Sequence, residues 1–165
     1  MRLKRRVAEP ANSHALEASD DARHLAMEIA GLQLARRVDP VGMRVVLEPE
    51  ESAWRQLEDL WFRVMVHGLW SEAAPGTALL TNRRLLVRLR SGEVLSLWWG
   101  SLVGFDPDLS RSHVVLDYGD GSPRVVTGPG AAQVAVAGIA SLYGVEALTT
   151  HPALDPIRRM APTVG

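Results

Sequence analysis

Histidines and serines are the residue types best suited to catalysis in this sequence, yet their spacing matches no catalytic or metal-binding motif. The five histidines are scattered, with no HExxH motif, no paired spacing and no consistent acidic partner. Gly100-Ser101-Leu102 lacks the GxSxG pattern of a nucleophile elbow. The chain has no cysteine, which excludes disulfides, thiolate zinc sites and cysteine nucleophiles. We therefore expect a protein with no catalytic residues, no cofactor and no metal site.

Two glycine-rich turns could hold an ion, but each lacks part of the motif required. Gly119-Asp120-Gly121 lies between two predicted strands without the wider EF-hand spacing, so a tight hairpin turn is the simpler interpretation. Gly128-Pro129-Gly130 precedes an apolar helical segment whose free N–H groups could bind an anion. It lacks the lysine and Ser/Thr of a P-loop, so we interpret it as the plain start of a helix.

Four arginines on neighbouring predicted strands form a candidate partner-binding surface: Arg83, Arg84, Arg88 and Arg90. Arg88 and Arg90 share a face, because side chains alternate along a strand. Such a surface could bind an acidic protein or an anionic lipid. The alternative is a solvated face whose arginines pair with nearby glutamates, at positions 48, 50, 58 and 93. The formal net charge of −1 argues against nucleic acid as the partner.

Adjacent tryptophans in Ser96-Leu97-Trp98-Trp99-Gly100 form the second candidate, in a chain with five Trp but two Phe and two Tyr. In a strand, Trp99 shares the core face with Leu97, whereas Trp98 points to the opposite side. Trp98 is then covered by the 53–70 segment or by the N-terminal helix, or it is exposed as an interaction hot spot. Trp70 is predicted to lie nearby and is a candidate for the same surface.

The composition is typical of a folded domain with an appendage. Of the 165 residues, 47% are hydrophobic and 22% are charged, which is enough apolar surface for a sizeable core. The basic start, Met1–Arg6, is not followed by the apolar stretch of a signal peptide, and no run of about 18 apolar residues occurs. We expect a cytoplasmic protein, with peripheral contact to the inner face of the membrane as the alternative.

The first part of the chain predicts a tail, a helix and a short strand. Residues 1–12 are typical of a flexible tail, and a helix follows from Ser13 or Ser19 to Arg37. Residues 42–47 predict a strand. Residues 53–66 are ambiguous: their apolar period slightly favours an amphipathic helix, whereas the second half is rich in strand formers.

From Gly76 onward the sequence predicts an antiparallel meander, because the connections are too short for crossover helices. The predicted strands are Thr77–Thr81, Leu85–Leu89, Val94–Trp99, Val114–Tyr118 and Arg124–Thr127. Gly92, Asp106-Pro107-Asp108 and Gly119-Asp120-Gly121 are read as turns between them. An apolar helix follows over residues 131–143 with Gly144 as its C-cap, and a short helix is predicted within Pro152–Met160.

The segment from Gly76 to Leu85, GTALLTNRRL, resembles a hairpin of bacterial pleckstrin-homology-like and GRAM-like domains, in which a strand ends in Thr, turns through Asn and restarts at Arg-Leu. The resemblance covers about residues 42–143. It implies an α+β fold with a bent sheet or partly open barrel closed by the C-terminal helix. The expected division is a tail at 1–12, a helical appendage at 13–41, the pleckstrin-homology-like domain at 42–145 and an extension at 146–165.

The same resemblance implies a non-catalytic adaptor module. Many members of the wider superfamily bind protein, whereas eukaryotic pleckstrin-homology domains hold phosphoinositide phosphates with basic residues near the first hairpins. We therefore expect a protein partner or self-association, with an anionic lipid as the alternative ligand.

Overall fold

The computed structural model describes the backbone of residues 10–159 and the side chains of residues 14–158. In this part of the chain, helix α1 (Pro10–Ile29) precedes eight strands: β1 (Ala53–Val66), β2 (Leu69–Trp70), β3 (Ala74–Thr81), β4 (Arg84–Leu89), β5 (Val94–Trp98), β6 (Gly104–Asp108), β7 (His113–Asp117) and β8 (Arg124–Thr127). Three helices follow: α2 (Ala131–Tyr143), α3 (Ala147–Thr150) and α4 (Asp155–Arg159). None of the described helices has the length and hydropathy needed to cross a membrane.

The strands form one antiparallel sheet in the order β5-β4-β3-β1-β8-β7-β6, with β2 paired to the end of β1. The sheet is not closed, and β5 and β6 are its two edges. Helix α2 packs on the sheet's buried face, where residues 131–139 are all buried. This architecture confirms the predicted fold class, an open antiparallel meander with a C-terminal helix and an added N-terminal helix.

Residues 53–66, which the sequence left ambiguous between helix and strand, form strand β1, so the slight preference for a helix is wrong. Leu57 pairs with Ala78 and Leu60 pairs with Gly76, so the register shifts by one residue and the strand contains a β-bulge. The bulge puts both leucines on the core side although they are three residues apart. That spacing imitates a helical period, and two-residue alternation resumes only after the bulge.

Helix α1 is displaced relative to the prediction. It begins at Pro10, runs through Ser13 and Ser19, and ends at Ile29 rather than at Arg37. Two backbone bonds close its end: Gly31 N–H donates to Glu28 O (3.1 Å), and Leu32 N–H donates to Met27 O (2.9 Å). These are the two bonds of a Schellman motif. Residues 1–9 of the predicted tail lie outside the described residues.

Helix α1 is also part of the core. Ala22 and Leu25 are fully buried in the main hydrophobic cluster, and α1 packs against α2 and α4.

The predicted strand at 42–47 is wrong. Val41–Met43 form a single 3₁₀ turn, and Arg44 has a left-handed backbone conformation with φ of 56°. Met43 packs with Leu79 and Leu86, which lie on the face of the sheet opposite α2. The segment therefore acts as a cover over part of the outer face rather than as a strand.

The predictions downstream of Gly76 are largely confirmed. Strands β3, β4, β5, β7 and β8 occur where the sequence predicted them. Helix α2 spans residues 131–143, and Gly144 N–H caps it by donating to Ala140 O. A 3₁₀ turn and α4 occupy the predicted C-terminal helix, of which Met160 lies outside the described residues. The turn predicted at Asp106-Pro107-Asp108 is wrong: it belongs to β6, an edge strand, where proline is tolerated.

Gly128 joins β8 to α2 where the chain passes the β1 bulge, and we expect Gly128→Ala to lower the free energy of unfolding by about 3 kcal/mol. A Cβ there would lie 2.5 Å from Asp59 O, and φ is +123°. Gly121→Ala is the matched control, because its φ is +78° but nothing lies within 4 Å of the added carbon. Urea unfolding measures both. If the two variants lose the same free energy of unfolding, the contact with Asp59 makes no contribution.

Candidate interaction surface

Trp99 and Trp98 divide between the core and the surface, as the strand pattern predicts. Trp99 is buried beside Leu97 and Phe105, with its ring 6.2 Å from the Phe105 ring in an edge-to-face arrangement. Its indole N–H donates to Thr81 O at 3.1 Å. This tryptophan is therefore a core residue that ties the end of β5 to the β3–β4 turn.

Trp98 is half-buried, and the group over its ring is the guanidinium of Arg84, 4.4 Å from the ring centroid. This cation–π contact comes from the neighbouring strand of the same sheet. Tyr118 Oη donates to Trp98 O at 3.3 Å, and burial raises the pKa of Tyr118 to about 12, so the hydroxyl keeps its proton. The exposed part of Trp98 is accordingly small.

Arg84 is buried, and its donors are occupied within the protein. Its Nε and Nη2 each lie 3.0 Å from a carboxylate oxygen of Glu51, its Nη1 donates to Ser96 Oγ (2.9 Å), and its Nη2 also donates to Val46 O (3.1 Å). Burial alone would raise the pKa of Glu51, but the hydrogen bonds from Arg84, Glu48 N–H and Thr81 outweigh it and hold that pKa below its ordinary value. This buried pair supports the fold, so we leave Arg84 out of the candidate surface.

The other arginines do not form one cluster. Arg83 is exposed beside the β3–β4 turn, 3.9 Å from Glu50, which is one of the predicted acidic partners. Arg88 Nη2 donates to Arg44 O at 3.4 Å. Arg88 and exposed Arg90 line a groove of about 530 Å³ on the outer face, opposite Glu58 and Asp59 and beside Trp61. The groove therefore carries charges of both signs.

The tip of the β1–β2 hairpin brings several exposed apolar side chains together. Val66 pairs with Leu69 across the two-residue turn His67-Gly68, both of which have positive φ as a type I′ turn requires. Val66 is 48% exposed, Leu69 is 74% exposed and Trp70 is 39% exposed.

Both faces of this hairpin tip are apolar. Met65 pairs with Trp70 on the outer face, and Val66 and Leu69 lie on the opposite face. We call Met65, Val66, Leu69 and Trp70 the hairpin tip. It presents hydrophobic side chains on a projecting element, a shape suited to insertion into a concave apolar surface.

The sheet separates the residues that the sequence suggested as one surface. Trp70, in β2, pairs with the C-terminal end of β1, whereas Arg83 and Trp98 lie near the β3–β4 turn, which is beside the beginning of β1. A 14-residue strand spans about 40 Å at ~3.3 Å per residue. Trp70 and Trp98 therefore belong to different surfaces.

Val66 and Leu69 are not among the residues predicted from sequence. The signal for them was the pair His67-Gly68 between two apolar segments, a spacing typical of a two-residue β-hairpin. The preference for a helix at residues 53–66 led us to miss this signal, because a helix there is not followed by a hairpin turn at position 67.

The described residues hold no cluster of three or more His, Asp or Glu side chains arranged for a metal ion. The hairpin tip can make hydrophobic contacts with a partner, and the groove beside Trp61 carries charges of both signs. No protein-family model matches this chain, and a comparison with curated proteins finds no match either.

Proposed function

We propose that the chain is a cytoplasmic, non-catalytic adaptor of the bacterial pleckstrin-homology-like kind that binds a protein partner through the hairpin tip. The observation that carries the proposal is the exposure of Val66, Leu69 and Trp70 on one projecting turn. Burying the exposed part of large apolar side chains favours association, and tryptophan is enriched among interface hot spots.

The distribution of arginines favours protein over anionic lipid as the ligand. A lipid headgroup site needs several cations side by side. Arg84 is buried with Glu51, Arg83 lies at the far end of the sheet from the hairpin tip, and the groove with Arg88 and Arg90 also contains two carboxylates. The open sheet with its C-terminal helix agrees with the family resemblance and supports an adaptor role by analogy.

The double variant Leu69→Ser/Trp70→Ser tests this proposal. The control is Leu32→Ser/Leu34→Ser, because these two leucines are also strongly exposed (74% and 96%) but lie beyond the end of α1. The control should unfold within about 0.5 kcal/mol of the wild type, since its side chains are at the surface. Urea unfolding should show that the hairpin variant, which also loses the partly buried side chain of Trp70, remains folded. In quantitative crosslinking in the native host, we expect the yield of the main crosslinked partner to fall about tenfold for the hairpin variant. The control should give the same yield as the wild type.

Two results would contradict the proposal. One is retention of the same partners by the hairpin variant. The other is sedimentation of the wild type with phosphatidylglycerol vesicles that weakens with salt and is lost in Arg88→Glu, which would favour the lipid alternative.

A further inference from the structure

The two edges of the open sheet differ in how they are protected. Edge strand β6 contains Asp106, Pro107 and Asp108, and proline and charge discourage the pairing of another strand. Edge strand β5 reads Val-Leu-Ser-Leu-Trp, with neither proline nor charge. Because natural sheets generally block their edges, an unblocked edge is a candidate for strand addition.

The hydrogen bonds at the two ends of β5 show which backbone groups face outward. Trp99 N–H donates to Arg83 O (3.0 Å), and Leu89 N–H donates to Glu93 O (2.9 Å), so the odd-numbered residues pair with β4. In an antiparallel ladder the alternate residues direct their N–H and C=O groups to the other side. The groups of Val94, Ser96 and Trp98 therefore point away from the sheet, and the Tyr118 hydroxyl on Trp98 O confirms this orientation.

A cleft of about 270 Å³ lies beside the C-terminal half of this edge. Ser96, Leu97 and Trp98 form one wall, and Tyr118, Asp120 and Arg124 at the β7–β8 turn form the other. Arg124 lies 2.6 Å from Asp120 and 5.2 Å from the centroid of the Tyr118 ring, so this second wall is held in place. Its charges are already paired, which leaves backbone groups and apolar surface as the features available to a ligand.

The wall formed by the β7–β8 turn favours a single peptide strand over a second copy of this chain as the ligand of the cleft. A second copy joining β5 to β5 would bring its own β4 and the rest of its sheet alongside, where the β7–β8 turn stands. A single extended segment needs only one strand spacing, about 4.8 Å, beside the edge. The cleft therefore suits a lone peptide strand.

We propose that the free edge of β5 binds an extended peptide of a partner by strand addition. The peptide backbone pairs with Val94 and Ser96, and its inward-facing side chains are apolar because they meet Leu97 and Tyr118. The site lies at the opposite end of the sheet from the hairpin tip and does not depend on the function proposed for that tip.

A phage-displayed library of random twelve-residue peptides is the probe. Selection on the wild type, with counter-selection on Ser96→Pro, should enrich peptides with alternating apolar residues. Proline removes the outward N–H and leaves the ladder to β4 intact, since that ladder uses the odd-numbered residues. Ser96→Ala is the matched control, because it also loses the hydroxyl that accepts from Arg84 but keeps the N–H.

An enriched peptide should shift the amide NMR resonances of Val94 and Ser96. Its affinity should fall about tenfold or more in Ser96→Pro, and equally when the peptide is N-methylated at its pairing positions, because backbone hydrogen bonds are lost. The affinity of the unmethylated peptide for Ser96→Ala and for Leu69→Ser/Trp70→Ser should equal its affinity for the wild type. The methylated peptide tests the idea even if Ser96→Pro does not fold. Failure to enrich such peptides, equal binding after methylation, or β5-mediated dimers in light scattering would overturn the proposal.

Discussion

Arg55→Ala is expected to lower the free energy of unfolding by about 3–5 kcal/mol. Arg55 lies on β1 and is buried, and its guanidinium makes two bonds of 2.8 Å to Glu28 and one of 2.9 Å to Asp21, both on α1. The side chain of Glu28 is only 5% exposed. Removing the arginine leaves Glu28 without its main cation in a site that water barely reaches, so the variant loses far more than one hydrogen bond, although Asp21 keeps its contact with Arg36.

Arg36→Ala is the control for this prediction. Arg36 lies 2.8 Å from Asp21 and 3.9 Å from Glu28, but its side chain is 56% exposed. Exposed pairs contribute about 0–1 kcal/mol, so this variant should be close to the wild type. Urea unfolding at neutral pH measures both proteins. A loss below about 1 kcal/mol in Arg55→Ala would show that α1 is not fastened to the sheet through this ion pair.

Glu51→Gln is expected to cost about 3 kcal/mol, because it removes the charge that compensates buried Arg84. The Glu51 side chain has no exposed surface and accepts bonds from Arg84, Thr81 and the N–H of Glu48. Glu50→Gln is the matched control, since its side chain is 87% exposed and its contact with Arg83 is long, at 3.9 Å. Chemical unfolding should separate the two variants clearly.

Glu51→Gln should also change how the stability of the protein depends on pH. The pKa of Glu51 is lower in the folded protein than its ordinary value of 4.5. A lowered carboxyl pKa contributes stability that is present above the unfolded value and is lost as pH falls through the folded value. The wild type should therefore lose stability below about pH 4.5, and Glu51→Gln should lose less over that range. An equal slope in both proteins would contradict the role given to Glu51. The pKa of Glu28 is also lowered, chiefly by its hydrogen bond from Arg55, so part of the acid sensitivity remains in the variant.

Much of the sheet could be predicted because its signals are local. The β3–β4 turn, the alternation of Leu97 and Trp99, and the Gly128–Gly130 start of α2 each depend on residues only a few positions apart. The end of α1 was predicted wrongly, at Arg37, although Gly31 followed by an apolar residue is a local signal for the Schellman motif that ends the helix after Ile29. The strand at 53–66 could not be identified from local sequence, because the bulge breaks the two-residue alternation on which a strand prediction depends.

For the interaction surfaces, the sequence by itself determined which side chains alternate inward and outward on β5. It also supplied the apolar residues and the turn of the hairpin tip. The tertiary structure alone decided which arginines are available, because their partners are remote in sequence: Arg55 and Glu28 are 27 positions apart, and Arg84 and Glu51 are 33 apart. A charged side chain is buried only where folding brings an opposite charge to it. Local sequence cannot show this pairing, which is why Arg84 was a candidate for the surface although it is buried with Glu51.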